Sequence, residues 1–356
     1  MIDFLVIGGG IAGLSAGARL SAHGKVTVLE AEEALGYHAS GRSAALFEQA
    51  YGKPAVVALN RASAAYHHTA NGGYLTPRGL MLVGAADQAE AFQADIVDME
   101  MTPVSLDEAR AMVPILNPET VVYTAYHAEA WDIDTDRLMQ DFARVIRANG
   151  GAVLTRQRVS RIAHGAVWQV EAGEVFEARN IVNAAGAWAD QVAVMAGVAP
   201  IGLQPYRRSM ARIPAPGGHD LSGWPMLMGA GESWYAKPDA GKLIISPADA
   251  DPVEPQDAWA DDMVLAEGLA RYQEMVTEEV TRMDSNWAGL RSFAPDRVLV
   301  LGPDPDQRDF IWCAGQGGYG FQTSPAASQL LCDLVTGAAP EIEARMVAQL
   351  RPERLR

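Results

Sequence analysis

Residues 3–20 read DFLVIGGGIAGLSAGARL, a β-favouring apolar run that meets three glycines and continues into small and apolar residues. This order predicts a strand, a tight turn and a helix. Gly8, Gly10 and Gly13 hold the glycine positions of a G-x-G-x-x-G turn. The first glycine permits the turn, the second lets the backbone approach a pyrophosphate, and the third lets the helix pack close to the strand. The stretch therefore predicts a βαβ unit that binds a dinucleotide.

The segment that follows supports the same prediction. Residues 26–29 are again apolar and β-favouring, and Glu30 comes directly after them. A carboxylate at the end of the second strand can accept hydrogen bonds from both hydroxyls of an adenosine ribose. These residues alone leave FAD and NAD open as the cofactor.

Length and composition exclude several classes of protein. The 356 residues suggest about two domains or one large unit. The charge of 28 − 44 = −16 repels phosphate backbones and anionic membranes, so nucleic acid is not an expected partner. Cys313 and Cys332 lie in apolar stretches without metal-binding spacing, which excludes a disulfide framework or a zinc site and favours a cytoplasmic location. The first residues contain no basic region before their apolar run, and no apolar run of about 18 residues occurs, so neither secretion nor an integral membrane segment is expected.

Further along, the pattern alternates between α/β segments and an all-β insert. Residues 134–150 predict a packing helix with good start and stop signals. Strand candidates follow at residues 152–154, 167–170, 175–178 and 180–183. Residues 200–255 are rich in Pro, Gly and aromatic residues, which predicts an inserted antiparallel sheet with strands near 203–212, 233–236 and 242–246. A second glycine-rich turn, at 315–320, follows strand candidates at 298–301 and 310–314 and leads to a predicted helix over 324–335.

Several motifs together resemble a known family. They are the first glycine turn with Glu30, residues 36–45 (GYHASGRSAA), residues 183–188 (NAAGAW) and residues 316–320 (QGGYG). The chain resembles, over essentially its whole length, the FAD-dependent amine oxidoreductases that include D-amino acid oxidase, glycine oxidase and sarcosine oxidase. Within that family it is most similar to the bacterial D-arginine dehydrogenases, by the kind and order of residues 203–205, 207–209, 224–227, 237–241 and 287–293.

The resemblance implies an α/β fold in which a glutathione-reductase-like FAD-binding Rossmann domain is interleaved with an antiparallel-sheet substrate domain. We expect the FAD domain to comprise residues 1–79, 136–200 and 296–356, and the substrate domain 80–135 and 201–295. It also implies FAD as the cofactor. The FAD should be non-covalent, because no cysteine stands where sarcosine oxidases tether their flavin.

Cofactor contacts are implied in four places. The first turn and second strand contribute Gly8, Gly10, Ile11, Ala12, Gly13, Glu30 and Ala31. The segment along the flavin and pyrophosphate contributes Ser40, Gly41, Arg42, Ser43 and Ala44. Val159 contacts adenine, and Ala185, Gly186 and Trp188 form a turn near the cofactor. The second glycine turn contributes Gly317, Gly318, Tyr319, Gly320 and Gln322, where a helix N-terminus suits the flavin edge that becomes negative on reduction.

The candidate substrate contacts centre on arginines. A planar guanidinium grips a carboxylate through two hydrogen bonds, and Arg291, in an apolar run, is the leading candidate. Arg208 is the second candidate. It ranks below Arg291 because Arg207 beside it would point to the other face of the same strand. The resemblance adds Tyr51 and Tyr235 at the carboxylate, and Gly289 with Gln316 at the amine. Met226 and Met228 should form a wall, since alternation puts both on one face.

No histidine or acid is assigned as a general base, because an amine that binds neutral does not need one; His38, beside the flavin segment, is the one histidine that we single out.

Substrate choice is expected to differ from that of the D-arginine dehydrogenases. Leu80 stands where they have a carboxylate for the guanidinium, and Leu46 stands at the histidine of their lid segment. The pocket should therefore be more apolar, although Glu48 introduces an acid nearby.

The expected reaction is oxidative deamination of a D-amino acid by hydride transfer from Cα to flavin N5, giving an imino acid that hydrolyses to a 2-oxo acid and ammonia. Leu243 is expected where sarcosine oxidases have an oxygen-assisting lysine, with Lys242 facing away, so we predict a dehydrogenase. Its electron acceptor, a quinone or another molecule, is left open. The alternatives are an oxygen-using glycine or sarcosine-type oxidase, a non-catalytic FAD-binding subunit and an NAD-dependent dehydrogenase.

Overall fold

The computed structural model describes residues 1–356, and the first of its two large sheets has eight strands. They are β1 (Ile2–Ile7), β2 (Val26–Leu29), β9 (Ala152–Leu154), β10 (Arg161–His164), β11 (Trp168–Ala172), β12 (Glu174–Asn183), β19 (Val300–Pro303) and β20 (Phe310–Ala314). β1 pairs in parallel with β2 and β12, β2 with β9, and β12 with β20. These parallel strands form a Rossmann core, to which β10, β11 and β19 add antiparallel pairs.

Nine α-helices cover the sheets. They are α1 (Ile11–Leu20), α2 (Pro54–Thr69), α3 (Ala89–Asp98), α4 (Leu106–Met112), α5 (Thr135–Ala148), α6 (Ala189–Met195), α7 (Asp262–Glu274), α8 (Gly320–Thr336) and α9 (Ala344–Ala348). Side-chain alternation along β1 gives the first sheet two apolar faces: Val6 packs with residues of α1, α5 and α8, whereas Leu5 packs with residues of α6. None of the helices combines the length and apolar character that a membrane span requires.

The second large sheet has nine strands and is mostly antiparallel. They are β5 (Leu80–Gly84), β6 (Thr102–Pro103), β7 (Tyr123–His127), β13 (Gln204–Ile213), β14 (Met226–Gly229), β15 (Tyr235–Asp239), β16 (Lys242–Ser246), β17 (Asp251–Pro252) and β18 (Ser285–Phe293). One face packs on α4 and α7 through residues such as Met81 and Leu243. The other face carries Leu80, Met226 and Tyr235. A small third sheet joins β3 (Leu46–Phe47), β8 (Trp131–Ile133) and β4 (Leu75–Pro77).

The chain passes repeatedly between the two large sheets, so the predicted interleaved α/β fold is confirmed. The predicted boundaries between the domains stay a prediction.

Some predicted element boundaries were wrong for physical reasons. Residues 174–183 form one strand, not two, because β1 pairs along one side while β11 and then β20 pair along the other. Helix α8 begins at Gly320, four residues before the predicted start, directly after the glycine turn. The sequence also predicts that the first helix ends at His23 and Gly24, where glycine can form a left-handed cap. Helix α1 instead ends at Leu20, and residues 21–24 form a turn.

Candidate active site

The first glycine turn has the tight geometry that its sequence predicts. Gly8 has a φ of +113°, and a Cβ there would lie 2.3 Å from the carbonyl oxygen of Ala184. A Cβ on Gly13 would lie 2.0 Å from the carbonyl oxygen of Gly8, so this glycine lets α1 pack against β1. A Cβ on Gly10 would meet only Ser40 Oγ, at 3.1 Å. Gly8 and Gly13 are therefore required by the protein's own packing, whereas Gly10 leaves free space at the N-terminus of α1.

Glu30 is 8% exposed and held by backbone donors. The amide of Gly9 donates to Oε2 at 2.7 Å, and the amide of Glu32 donates to Oε1 at 2.9 Å. Each oxygen retains a second lone pair, and the side chain lines the cavity that begins at the glycine turn. The carboxylate is thus placed and oriented where the sequence predicts an acid for a ribose.

One long cavity brings most of the predicted residues together. From the cofactor set its wall includes Gly8, Gly10, Ile11, Ala12, Glu30, Ala31, Ser40, Arg42, Ser43, Ala44, Val159, Ala185, Gly186, Trp188, Gly317, Gly318, Gly320 and Gln322. From the substrate set it includes Leu46, Glu48, Tyr51, Leu80, Arg208, Met226, Met228, Tyr235, Gly289, Arg291 and Gln316. The roles assigned to these residues remain predictions. His38 also lines the cavity, where it contacts Trp188 and Glu32.

Three predicted cofactor contacts lie outside the wall. Gly13 is buried under the turn by the packing described above. The amide of Gly41 donates to Gly36 at 2.6 Å, which closes a turn behind the cavity. The ring of Tyr319 packs against Tyr51 with a centroid distance of 5.4 Å. Each of the three supports a residue that does line the cavity, and their direct contact with FAD stays a prediction.

At one end of the cavity, two guanidinium groups converge from neighbouring strands. Arg208 on β13 lies directly across from Gly289 on β18, and Arg291 follows Gly289 by two residues on the same face. Arg208 is 8% exposed and donates from Nε to the backbone carbonyl of Asp249 at 2.8 Å. No carboxylate lies within ion-pair distance of either guanidinium. Arg207 faces the other way and pairs with Asp251 at 2.6 Å, as the strand alternation predicts.

The charges in this region are adapted to an anion. Burial and the positive charge of Arg291 lower the pKa of Arg208. Burial also opposes the charge of Arg291, but the neighbouring Tyr51, Tyr235 and Glu232 outweigh it and raise the pKa of Arg291. Burial raises the pKa of Tyr51, so its hydroxyl stays a hydrogen-bond donor. Two nearby cations with a neutral hydroxyl donor beside them have the chemistry that binds a carboxylate, and this role stays a prediction.

Another part of the cavity wall is mostly apolar. Leu46, Leu80, Met226 and Met228 line it together with Met99 and Met210, which the sequence did not single out. Glu48 is also on this wall, 3% exposed, and its Oε2 lies 2.7 Å from His127 Nδ1. Nothing in the sequence pattern connects Glu48 with His127, 79 residues away, so sequence reasoning missed the histidine.

The expected position of Leu243 was wrong. Leu243 packs on the side of the second sheet that faces away from the cavity, and Ile244 lies on the cavity side. The register is therefore shifted by one residue from the expectation. A lysine does lie close by: Lys237 is 9% exposed, contacts the carbonyl oxygen of Ala44 and forms an ion pair with Asp132 at 2.9 Å. It shares a face of β15 with Tyr235, two residues earlier, which is the signal that could have found it.

The wall residues fit FAD. Glu30 suits the ribose, and the glycine turn suits a pyrophosphate. Helix α1 has no capping side chain on its own N-cap residue, although Ser40 accepts from the amide of Ile11 at 3.1 Å, and α8 has no side-chain cap either. Both N-termini open on the cavity, where their positive ends favour negative charge. Fold and site together define an oxidoreductase that uses a dinucleotide.

Comparison with known proteins gives the family. The model of the FAD-dependent oxidoreductase (DAO) family matches residues 3–334, and the chain belongs to this family. It is therefore an FAD-dependent oxidoreductase. Its fold is similar to that of L-proline dehydrogenase from P. horikoshii, with a TM-score of 0.83, 20% identity, and coverage of 99% of this chain and 97% of that one.

Two curated relatives are similar in sequence. Glycine oxidase from Pseudomonas putida is 24% identical over 362 residues, covering 95% of this chain and 96% of the relative. D-amino acid dehydrogenase from Rhizobium johnstonii is 40% identical over 67 residues, covering 19% of this chain and 16% of the relative.

Proposed function

We propose that the protein oxidatively deaminates D-amino acids. The observation that carries this proposal is the pair Arg208 and Arg291, two guanidiniums without carboxylate partners at the end of a cavity that fits FAD. A single substrate carboxylate would satisfy both cations and would accept hydrogen bonds from Tyr51 and Tyr235. The local similarity to a D-amino acid dehydrogenase and the resemblance of the motifs support the D configuration.

The chain's own residues hold both polar groups on the substrate's α-carbon, the carboxylate and the amine. In this proposal the carboxylate binds the two arginines, and the amine binds between the carbonyl oxygen of Gly289 and the side chain of Gln316, all of which line the cavity. A carbonyl acceptor holds an amine through its N–H groups, and no acid or histidine in this arrangement has to remove a proton from a neutral amine. Bound FAD supplies the acceptor for the Cα hydride, and the resulting imino acid hydrolyses to a 2-oxo acid and ammonia.

D-amino acids with apolar side chains are the preferred substrates in this proposal. Leu80, Leu46, Met226 and Met228 offer an apolar surface, and burial of a leucine-sized side chain contributes about 1.5 to 3 kcal/mol. A guanidinium in the same place loses hydration and finds Glu48 already engaged by His127. We expect kcat/KM for D-leucine, D-methionine and D-phenylalanine to exceed that for D-arginine.

We also propose a dehydrogenase, not an oxidase. Ile244 is the residue of β16 on the cavity side, and the ammonium of Lys237 is held by Asp132 and Ala44, off the cavity wall. The main alternative is an oxygen-using oxidase of glycine or an N-methyl amino acid, which the similarity to glycine oxidase over nearly the whole chain favours.

Anaerobic titration tests the proposal. The purified holoenzyme is mixed with D- and L-amino acids, glycine and sarcosine, and bleaching of the flavin absorbance is followed. Bleaching by D-leucine but not L-leucine supports the proposal, and bleaching only by glycine or sarcosine replaces it with the alternative. Steady-state rates with an artificial acceptor and with oxygen then separate dehydrogenase from oxidase.

A further inference from the structure

Glu48 is a carboxylate in an apolar wall. It is 3% exposed, and Leu46, Leu80 and Met99 line the same part of the cavity. A free carboxylate at this position would attract a substrate with a cationic side chain. The surroundings of Glu48 therefore decide which side-chain charge the cavity accepts.

Both carboxylate oxygens of Glu48 already have donors. The amide of Ala50 donates to Oε1 at 3.0 Å, and Nδ1 of His127 lies 2.7 Å from Oε2. The amide of Glu48 itself donates to Gln322 at 3.2 Å, which fixes the backbone. Burial raises the pKa of Glu48, while the hydrogen bond from Ala50 and the charge of His127 oppose this rise.

His127 is well placed to act as the permanent partner of Glu48. It lies on β7 directly opposite Leu80 on β5, so it contacts Glu48 beside a residue of the cavity wall. Its side chain keeps 21% exposure, and its Nδ1 lies within hydrogen-bond distance of Glu48 Oε2. The only other charged group that acts on Glu48 is Glu100, which is 66% exposed and paired with Arg61 at 2.9 Å.

We propose that His127 masks the carboxylate of Glu48 and is thereby a specificity-determining residue, which makes the cavity select uncharged side chains. This inference rests on the proposed function, because it names the side-chain class of that substrate. A histidine N–H that donates to Glu48 occupies the oxygen that a substrate ammonium would use. Removing the histidine should expose the acid and turn the preference toward cations.

Two carboxylate ligands that have no α-amine to be oxidised test whether His127 masks Glu48, because only their binding is measured. Heptanoate ends in a methyl group and ε-aminocaproate in an ammonium, on chains of the same length, and both carry the carboxylate for Arg291 and Arg208. Calorimetry on the holoenzyme measures the two dissociation constants. For the unmodified protein we expect heptanoate to bind at least about tenfold more tightly.

Variants locate the cause of this difference. His127→Ala should improve binding of ε-aminocaproate relative to heptanoate by about tenfold, and adding Glu48→Gln should remove that gain. Glu48→Gln alone should change the ratio by less than about threefold, because the carboxylate is masked. Glu343→Gln, which removes an exposed acid paired with Arg345 outside the cavity, is the matched control and should leave the ratio unchanged.

Two results would overturn the mask. One is a folded, FAD-containing His127→Ala protein with an unaltered ratio. The other is a large loss of ε-aminocaproate binding in Glu48→Gln alone, which would mean that the carboxylate is free; this comparison decides the question even if His127→Ala does not fold. Failure of the proposed function would show differently, as a flavin that no D-amino acid bleaches while the ratio of the two carboxylates still reports on His127.

Discussion

Arg291 contributes the guanidinium that we expect to bind the substrate carboxylate most directly. Lysine keeps the charge but not the planar pair of donors, so Arg291→Lys should raise the substrate KM and slow flavin reduction. A lost charge-assisted hydrogen bond costs about 1.5 to 3 kcal/mol, or roughly ten- to hundredfold in kcat/KM. Stopped-flow reduction and steady-state kinetics on D-leucine measure both effects.

Arg212→Lys is the control for this substitution. Arg212 lies on β13, pairs with Asp239 and is 36% exposed, so its replacement should leave kinetics and FAD content unchanged. An Arg291→Lys protein that binds and reduces substrate like the parent would show that Arg291 has only a structural role.

The two cysteines bear on how FAD is held. Cys313 is 3% exposed and contacts the carbonyl oxygen of Ala12, and burial raises the pKa of its thiol to about 12. Such a thiol is a poor nucleophile. Cys332 is likewise buried.

We expect heat or acid denaturation followed by filtration to release all flavin as FAD. Flavin left on the polypeptide would contradict this, and His38→Ala would then test the histidine on the cavity wall.

Residue chemistry explains which site residues the sequence could predict. Arg291 and Arg208 could be predicted because few side chains bind a carboxylate in that geometry, and Met226 with Met228 because a strand alternates. The contact of Glu48 with His127 could not, because it joins β7 to a loop through tertiary structure alone. Leu243 was misplaced because an error of one residue exchanges the two faces of a strand.

At the scale of elements, β3 and the loop between β3 and α2 position three cavity residues, Leu46, Glu48 and Tyr51. Asn60 on α2 is fully buried and holds this loop: its Nδ2 donates to the carbonyl oxygen of Tyr51 at 3.0 Å and lies 3.4 Å from those of Glu48 and Gln49.

Asn60→Ala should therefore loosen the loop and leave buried carbonyl groups without donors. We expect a loss of about 1 to 3 kcal/mol in the free energy of unfolding and a higher KM with FAD content retained. Denaturant unfolding and kinetics on D-leucine measure these quantities. Asn60→Asp, which is of similar size but loses the donor, should behave alike; a normal KM in both variants would show that Asn60 does not position Tyr51.

Two glycines of the first glycine turn should respond differently to substitution, because Gly13 is required for packing and Gly10 for space at the cofactor site. Gly13→Ala places a Cβ 2.0 Å from the carbonyl oxygen of Gly8 and should reduce the yield of folded protein. Gly10→Ala meets only Ser40 Oγ, at 3.1 Å, and should fold but bind FAD more weakly, since its Cβ takes the space of the pyrophosphate. Circular dichroism reports folding, and flavin absorbance per protein reports FAD content. Normal FAD content in Gly10→Ala would place the pyrophosphate elsewhere.

On the scale of the whole molecule, the sequence predicted the Rossmann unit well because its contacts are close in the chain: β1, α1 and β2 follow one another within residues 2–29. The order of the strands in the second sheet could not be predicted from the sequence in the same way. There β14 pairs with β5 in parallel across more than 140 residues, and β18 pairs with β13 over more than 70. Such pairings depend on the packing of both sheets around the cavity, which no local pattern encodes.

Residues of both large sheets form the wall of the cavity, so FAD should hold the two halves of the molecule together. A ligand that binds only the folded state stabilises it by about 2.7 kcal/mol when present at a hundred times its Kd. Thermal unfolding of apoprotein with increasing FAD should therefore show a rising midpoint. ADP, which can occupy only the end near Gly10 and Glu30, should raise the midpoint less than FAD at equal concentration, because it lacks the contacts of the flavin end with the second sheet and therefore binds more weakly. An equal effect of ADP and FAD would mean that the flavin end contributes nothing to joining the halves, and a midpoint independent of both would mean that the folded chain does not need the cofactor for its stability.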